Sequence, residues 1–159
     1  MTVTISTATA ADFLSLVDLM AEFYAESGFT LDRDWAANSF SALLANPSWG
    51  SVWLARVDGN VAGYVVLTLH FSMEYGGMAG AIDDLFVRPE YRRSGVGMEL
   101  VKALLAECQR HGALAVGVEV GEDNLAAKSL YHRCGLSLRC DDRQVMTKTI
   151  VNSQLSIRN

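Results

Sequence analysis

Residues 85–97 constrain the fold more than any other segment of this chain. Leu85, Phe86 and Val87 read as the end of a strand, and Arg88-Pro89-Glu90-Tyr91 as a turn. Arg92-Arg93-Ser94-Gly95-Val96-Gly97 then forms a glycine-bearing loop that runs into a helix. The apolar period predicts that helix over residues 94–110, with Val96, Leu100, Leu104 and Cys108 on one face and Val101 and Leu105 widening it. A helix of that length between two strands permits a right-handed parallel crossover, so a mixed α/β sheet is expected. A helix start leaves N–H groups without partners at the positive end of the helix dipole. Gly95 and Gly97 carry no side chain to keep a ligand away from those groups, and Arg92 and Arg93 add positive charge. This is the chemistry of a phosphate or pyrophosphate cradle.

The glycine spacing narrows the ligand. A dinucleotide fingerprint needs a third glycine or another small residue where Leu100 stands, and a nucleoside-triphosphate loop needs Gly-Lys-Ser/Thr, which does not follow. What stands here is Arg-x-x-Gly-x-Gly directly after Leu-Phe-Val. A second motif lies downstream in Asn124-Leu-Ala-Ala127-Lys-Ser-Leu130-Tyr131-His-Arg-Cys134-Gly135-Leu136. Asn124 can cap that helix or reach a ligand amide. Ala127, Leu130, Tyr131 and Cys134 share one of its faces. The two motifs, in this order with a helix and a strand between them, resemble the GNAT superfamily of acetyl-CoA-dependent N-acetyltransferases. Its second hallmark runs Asn-x-x-Ala-x-x-Leu-Tyr-x-x-x-Gly-Phe, and this chain departs from it only where Leu136 replaces the aromatic.

The remaining elements agree with that order. A first strand is expected near residues 3–6, followed by a helix capped at Thr9 and Asp12 that carries Phe13, Leu16, Val17, Met20, Phe23 and Tyr24 to Gly28. A shorter helix is expected over 34–45, then strands at 51–57 and 61–69 joined by a tight turn at Asp58-Gly59-Asn60. Strands at 79–87 and 113–120, a helix at 124–134, and two short strands at 136–139 and 144–150 around an Asp141-Asp142-Arg143 turn complete the reading. Residues 1–150 form one expected domain and 151–159 a polar tail. No repeat, linker or low-complexity tract interrupts it.

Composition closes off other classes. With 159 residues, half of them hydrophobic, the chain can bury a real core. A net charge of −5 argues against a general nucleic-acid binder. No apolar run is long enough to span a bilayer, so no membrane partner is expected. Cys108, Cys134 and Cys140 show no Cys-x-x-Cys spacing, which argues against a disulfide framework or a zinc site and fits a reducing cytoplasm. His70, His111 and His132 have no metal-ligand spacing, and no metal is expected.

The resemblance implies a GNAT fold, a mixed central sheet with helices on both faces, and acetyl-CoA as the acyl donor. It implies that Arg92, Arg93, Ser94, Gly95, Val96 and Gly97 hold the coenzyme pyrophosphate, mostly through backbone amides. Such charge-assisted hydrogen bonds contribute about 1.5–3 kcal/mol each. Leu85, Phe86 and Val87 are expected along the pantetheine arm, which pairs with the strand as an added strand would. Asn124 either contacts the same arm or only caps its helix. Acetyl transfer then needs a neutral amine and a stabilised leaving thiolate. An alkylamine titrates near pKa ~10.4 and a thiol near ~8.5. By resemblance Tyr131 is the general acid beside the sulfur, and attack is direct within a ternary complex. Asp83 stands where relatives carry a glutamate base; Asp84 and Glu119 are alternatives. A regular strand would turn only one of the adjacent aspartates into a cleft. Tyr24, Glu26, Glu74, Asp84 and Glu119 are candidate substrate residues, and acidic and aromatic groups together suit a small primary amine, polyamine or amino acid. A non-catalytic acyl-CoA sensor and a protein lysine or N-terminal acetyltransferase are the alternatives. Family habit implies a homodimer.

Overall fold

The computed structural model describes residues 1–139 and 144–150. The elements run β1 (Val3–Thr7), α1 (Phe13–Glu26), α2 (Arg33–Ala45), β2 (Gly50–Val57), β3 (Asn60–Ser72), β4 (Gly77–Val87), α3 (Val96–Arg110), β5 (Val116–Val118) and α4 (Leu125–Arg133). The five strands form one sheet in the order β1-β2-β3-β4-β5. The first four pair antiparallel and β5 joins β4 in parallel, so α3 is the crossover helix. The β2–β3 turn places Asp58 at φ 48° and Gly59 at φ 84°, the left-handed geometry that a two-residue hairpin takes.

Alternating side chains of β2, β3 and β4 fill a core on each face of the sheet. On one, Val65, Leu67 and Ile82 pack against Val96, Leu100, Val101 and Leu104 of α3 and Tyr131 of α4. On the other, Val52, Leu54, Tyr64, Val66 and Phe86 pack against Leu16, Val17 and Met20 of α1 and Ala36 and Phe40 of α2. Leu100 and Leu104 are fully buried, and each such leucine contributes about 1.5–3 kcal/mol. Two Arg–Glu pairs tie α1 to the end of β4 and the loop beyond it. Arg88 forks onto Glu22 at 2.8 and 2.9 Å, and Arg92 reaches Glu26 at 2.5 Å.

The structure departs from the sequence pattern in three places. The parallel strand expected over 113–120 shrinks to Val116–Val118, because β5 diverges from β4 past Ile82. Residues 136–139 and 144–150 are not strands. Leu138, Val145, Met146 and Ile150 lie exposed, and among the described residues no ladder includes them. The capping pair at Thr9 and Asp12 exists, with the Thr9 N–H donating to the Asp12 carboxylate at 2.9 Å, but it closes a single 3-10 turn ahead of α1. Cys140, the Asp141-Asp142-Arg143 turn and the 151–159 tail lie outside the described residues. Among the described residues, no helix is long and apolar enough to cross a membrane.

Candidate active site

The site follows from where β4 loses its second neighbour. Gly80, Ala81 and Ile82 pair with Val116, Gly117 and Val118 of β5. Among the described residues that ladder ends there, while β4 continues to Val87 with β3 alone. The register against β3 also shifts at this point: Leu67 faces Ile82, but Val66 faces Asp84, leaving Asp83 as an extra residue. Such a bulge bends the strand and resets its alternation. Ile82 and Leu85 therefore pack on the α3 side, while Phe86 packs on the α1 side. The regular-strand expectation is corrected here: both aspartates line the cleft.

That cleft has a volume of about 530 Å3 and gathers residues from four elements and two loops. Tyr24 and Phe23 come from α1, Asp83, Asp84 and Leu85 from β4, Glu119 and Val120 from the segment after β5, and Asn124, Ala127 and Tyr131 from the start and face of α4. Three carboxylates enter it, and its lining carries no lysine or arginine among the described residues. Asp84 is half-buried and accepts a hydrogen bond from the Tyr64 hydroxyl at 3.0 Å, whereas Asp83 and Glu119 are exposed. Tyr131 is 8% exposed. Burial, with smaller contributions from Cys134 and Asp84, pushes its phenol up to about 12. It is thus a neutral donor across any ordinary pH. Asn124 caps α4, accepting the Ala127 N–H at 3.1 Å, and also lines the cleft.

The glycine loop sits at the open end of β4. Arg93 at φ 62° and Gly95 at φ 94° turn the chain into α3, whose first intrahelical bond runs from the Glu99 N–H to the Gly95 carbonyl. The amides of Gly95, Val96, Gly97 and Met98 precede that bond and have no partner within the helix. A side chain at Gly95 would meet open space. Gly97 also serves packing: a Cβ there would lie 3.1 Å from Leu130, so its missing side chain lets α3 approach α4. Arg92 is engaged within the protein. Its backbone N–H donates to Pro89, and its guanidinium donates to the Val87 carbonyl and Glu26 while lying 5.5 Å from the Phe86 ring. Ser94 donates its hydroxyl to the Tyr91 carbonyl. The loop thus offers the amides of α3's first turn and the charge of Arg93, with Arg92 holding its shape.

A strand edge without a neighbour, an amide-rich helix start at its end and a phenol over the gap are what an extended thioester carrier with a diphosphate requires. The family model described as "Acetyltransferase (GNAT) family" matches residues 13–136. The chain belongs to the GNAT family of acetyltransferases. An integron cassette protein from the mobile metagenome of Cole Harbour Salt Marsh superposes with a TM-score of 0.83 at 38% identity, covering 94% of this chain and 91% of its own. An uncharacterized N-acetyltransferase of Archaeoglobus fulgidus is 33% identical over 104 residues, 65% of this chain and 69% of that protein. A Bacillus subtilis protein named as a candidate ribosomal protein bS18-alanine N-acetyltransferase is 28% identical over 111 residues, 69% of this chain and 68% of that protein. This GNAT protein is therefore an acyltransferase of the acetyl-CoA-using kind.

Of the expected site residues, the cleft brings together Tyr24, Asp83, Asp84, Leu85, Glu119, Asn124 and Tyr131. Phe86 is 3% exposed and packs in the α1-side core, and Val87 packs on the α3 side, so only their backbone faces the open edge. Two candidates lie elsewhere. Glu26 is held by Arg92, and Glu74 pairs with Arg139 at 2.6 Å in a separate hollow beside β5. Phe23 and Ala127 entered the sequence reading only as helix-face residues, and Tyr64 was not singled out at all. Tyr64 sits in the apolar run of residues 61–67 of β3, where nothing distinguishes it from a core aromatic. The bulge did leave a signal, since two adjacent aspartates break the alternation of an otherwise apolar strand.

Proposed function

We propose that this protein transfers the acetyl group of acetyl-CoA to the primary amine of a small molecule, by direct attack in a ternary complex. The cleft carries this reading: three carboxylates and a buried phenol line it, and among the described residues its lining holds no lysine or arginine. An alkylammonium ion would complement those carboxylates. The first-turn amides of α3, from Gly95 to Gly97, and Arg93 would hold the diphosphate, and the free edge of β4 at Leu85–Val87 would pair with the pantetheine arm. Acetyl-CoA supplies the activated acyl group.

Asp84, anchored by Tyr64, receives the ammonium. Asp83, on the exposed bulge, takes the proton through a water, being one methylene shorter than a glutamate. Tyr131 donates a hydrogen bond to the departing sulfur. With its phenol at about 12 against a thiol near ~8.5, Tyr131 stabilises the thiolate without surrendering its proton fully. Ser27 lines the cleft with no histidine beside it among the described residues, which favours direct attack over a covalent enzyme intermediate.

The name of the Bacillus subtilis relative supports a second reading, in which the acceptor is the α-amine of a protein beginning with alanine. One experiment separates them. Thiol release from acetyl-CoA is followed with a panel of amines, diamines, amino acids and an alanine-initiated peptide. Release with the small amines and not the peptide supports the first reading; release with the peptide alone overturns it. With the active acceptor, Tyr131→Phe lowers kcat by about 100-fold and leaves acetyl-CoA affinity unchanged. Unaltered turnover removes Tyr131 from the chemistry.

A further inference from the structure

The face of the sheet under α1 and α2 is aliphatic at Val52, Leu54 and Val66, yet β3 places a tyrosine among them. Tyr64 is fully buried. Its ring packs edge-on against Phe40 of α2, with centroids 6.0 Å apart. In the β3–β4 register Tyr64 faces Phe86, which puts it diagonal to Asp84 on the same face. Its hydroxyl donates to Asp84 Oδ2 at 3.0 Å. That diagonal exists because Asp83 is taken up as a bulge: in an unbroken alternation through Asp83, Asp84 would share the face of Ile82. Burial above all, and then the Asp84 charge, raise the Tyr64 phenol well above its ordinary value, so it remains a donor.

We propose that Tyr64 is a positioning residue: from inside the core it fixes the Asp84 carboxylate at the cleft floor, where the second carboxylate oxygen anchors the ammonium group of the acceptor. The anchoring step rests on the amine acetyltransferase reading above; the fixing of Asp84 does not. The two aspartates thereby divide the work. Asp84 is held rigid by a core hydroxyl and binds. Asp83, exposed on the bulge, exchanges the proton. Among the described residues, the other titratable groups that line the cleft with Asp84 are Asp83 on the same strand, Tyr24 from α1, Tyr131 from α4 and Glu119 after β5.

The test uses the full chain and Tyr64→Phe, which removes one hydroxyl and keeps the ring against Phe40. The Asp84 carboxyl is titrated by carbon-13 NMR in both proteins, with Asp84→Asn assigning the resonance. A hydrogen bond donated to a carboxylate favours its charged form, so its loss should raise the Asp84 midpoint by about one unit. An unmoved midpoint overturns the proposal, whatever the protein acetylates. With an active amine from the panel, Tyr64→Phe should raise the acceptor KM by about tenfold, with kcat within about twofold and the acetyl-CoA KM unchanged. In an Asp84→Asn background the same substitution should add less than about twofold. A fall in kcat at constant acceptor KM, or full additivity with Asp84→Asn, also overturns it. If no amine is acetylated, the functional reading fails, and the NMR midpoint still decides whether Tyr64 fixes Asp84.

Discussion

The two halves of β4 have the same backbone conformation and opposite uses. From Gly77 to Ile82 the strand joins β3 along its whole length and gains β5 at its last three residues. Its side chains there are mostly small, and it is packed so tightly that a Cβ at Gly80 would lie 2.9 Å from both Cys108 and Leu67. From Asp84 to Val87 it keeps β3 and loses β5, and Asp83 between the halves pairs with neither. The second half stabilises the fold less and exposes more: a backbone edge, two carboxylates, and an exit into the glycine loop. One residue separates the regimes. Asp83 adds a bulge where the β5 ladder ends, and the cleft lies beside the strand from that point. In this protein the site is made by withholding a sheet partner.

Deleting Asp83 is the sharpest way to break that contrast. Ile82 and Asp84 would become neighbours while keeping their present faces and their present partners on β3. The fold should survive, with a circular dichroism spectrum and cooperative melting close to wild type. The cleft should not survive. Misplacing reacting groups by about 1 Å costs on the order of 100-fold in rate, so thiol release should fall at least that far. Retained activity in a folded deletion variant would show that the bulge does not make the site.

Gly80→Ala probes the other half. The new methyl meets the buried Cys108 sulfur and the fully buried Leu67, and overpacking of this kind costs about 1–3 kcal/mol. Denaturant unfolding should show the loss, while kcat per folded molecule stays at the wild-type value. A stable Gly80→Ala protein with impaired turnover would reverse the assignment of the two halves.

The fold was legible to the degree that its signals were local. The Asp58-Gly59 turn, the α3 stripe and the Asn124 cap each depend on neighbours within a few residues, and each stands where the sequence placed it. The cleft was legible in part for a different reason. Tyr131, Asn124 and the glycine loop belong to motifs, whereas Asp84 and Tyr64 meet through a register shift between two strands. No period in β3 reveals that Tyr64 will meet a carboxylate 20 residues away. Residues 136–139 and 144–150 failed in the opposite sense, because a strand pattern predicts a strand only where a partner edge is within reach.

The open half also has a distinctive pH signature. Burial holds the Tyr131 phenol at about 12, so its donor form is fully present at lower pH and is lost only as pH rises through that value. Between pH 6 and 10 the rate should show no alkaline limb from Tyr131. The residual activity of Tyr131→Phe should therefore keep the shape of the wild-type profile. A basic limb near pH 9 that disappears in Tyr131→Phe would mean that the working phenol is less buried than this geometry has it.

The smallest effect concerns the boundary between the open strand and α1. The sequence offered Glu26 as a candidate substrate residue; in the structure it is the partner of Arg92 at 2.5 Å, with both side chains about two-fifths exposed. Exposed pairs of this kind contribute about 0–1 kcal/mol, so Glu26→Gln should barely change stability. Arg92 is the reason to make it. Released from Glu26, its guanidinium keeps the Val87 carbonyl and gains freedom toward the loop, where the diphosphate of acetyl-CoA would sit. Calorimetry should show acetyl-CoA affinity equal to wild type or higher by about twofold to threefold, a gain that fades with salt as an exposed charge effect must. The acceptor KM should not move, because Glu26 does not line the cleft that holds Asp83, Asp84 and Glu119. A raised acceptor KM at constant coenzyme affinity would put Glu26 back among the substrate residues and make the cleft larger than the gap beside β4.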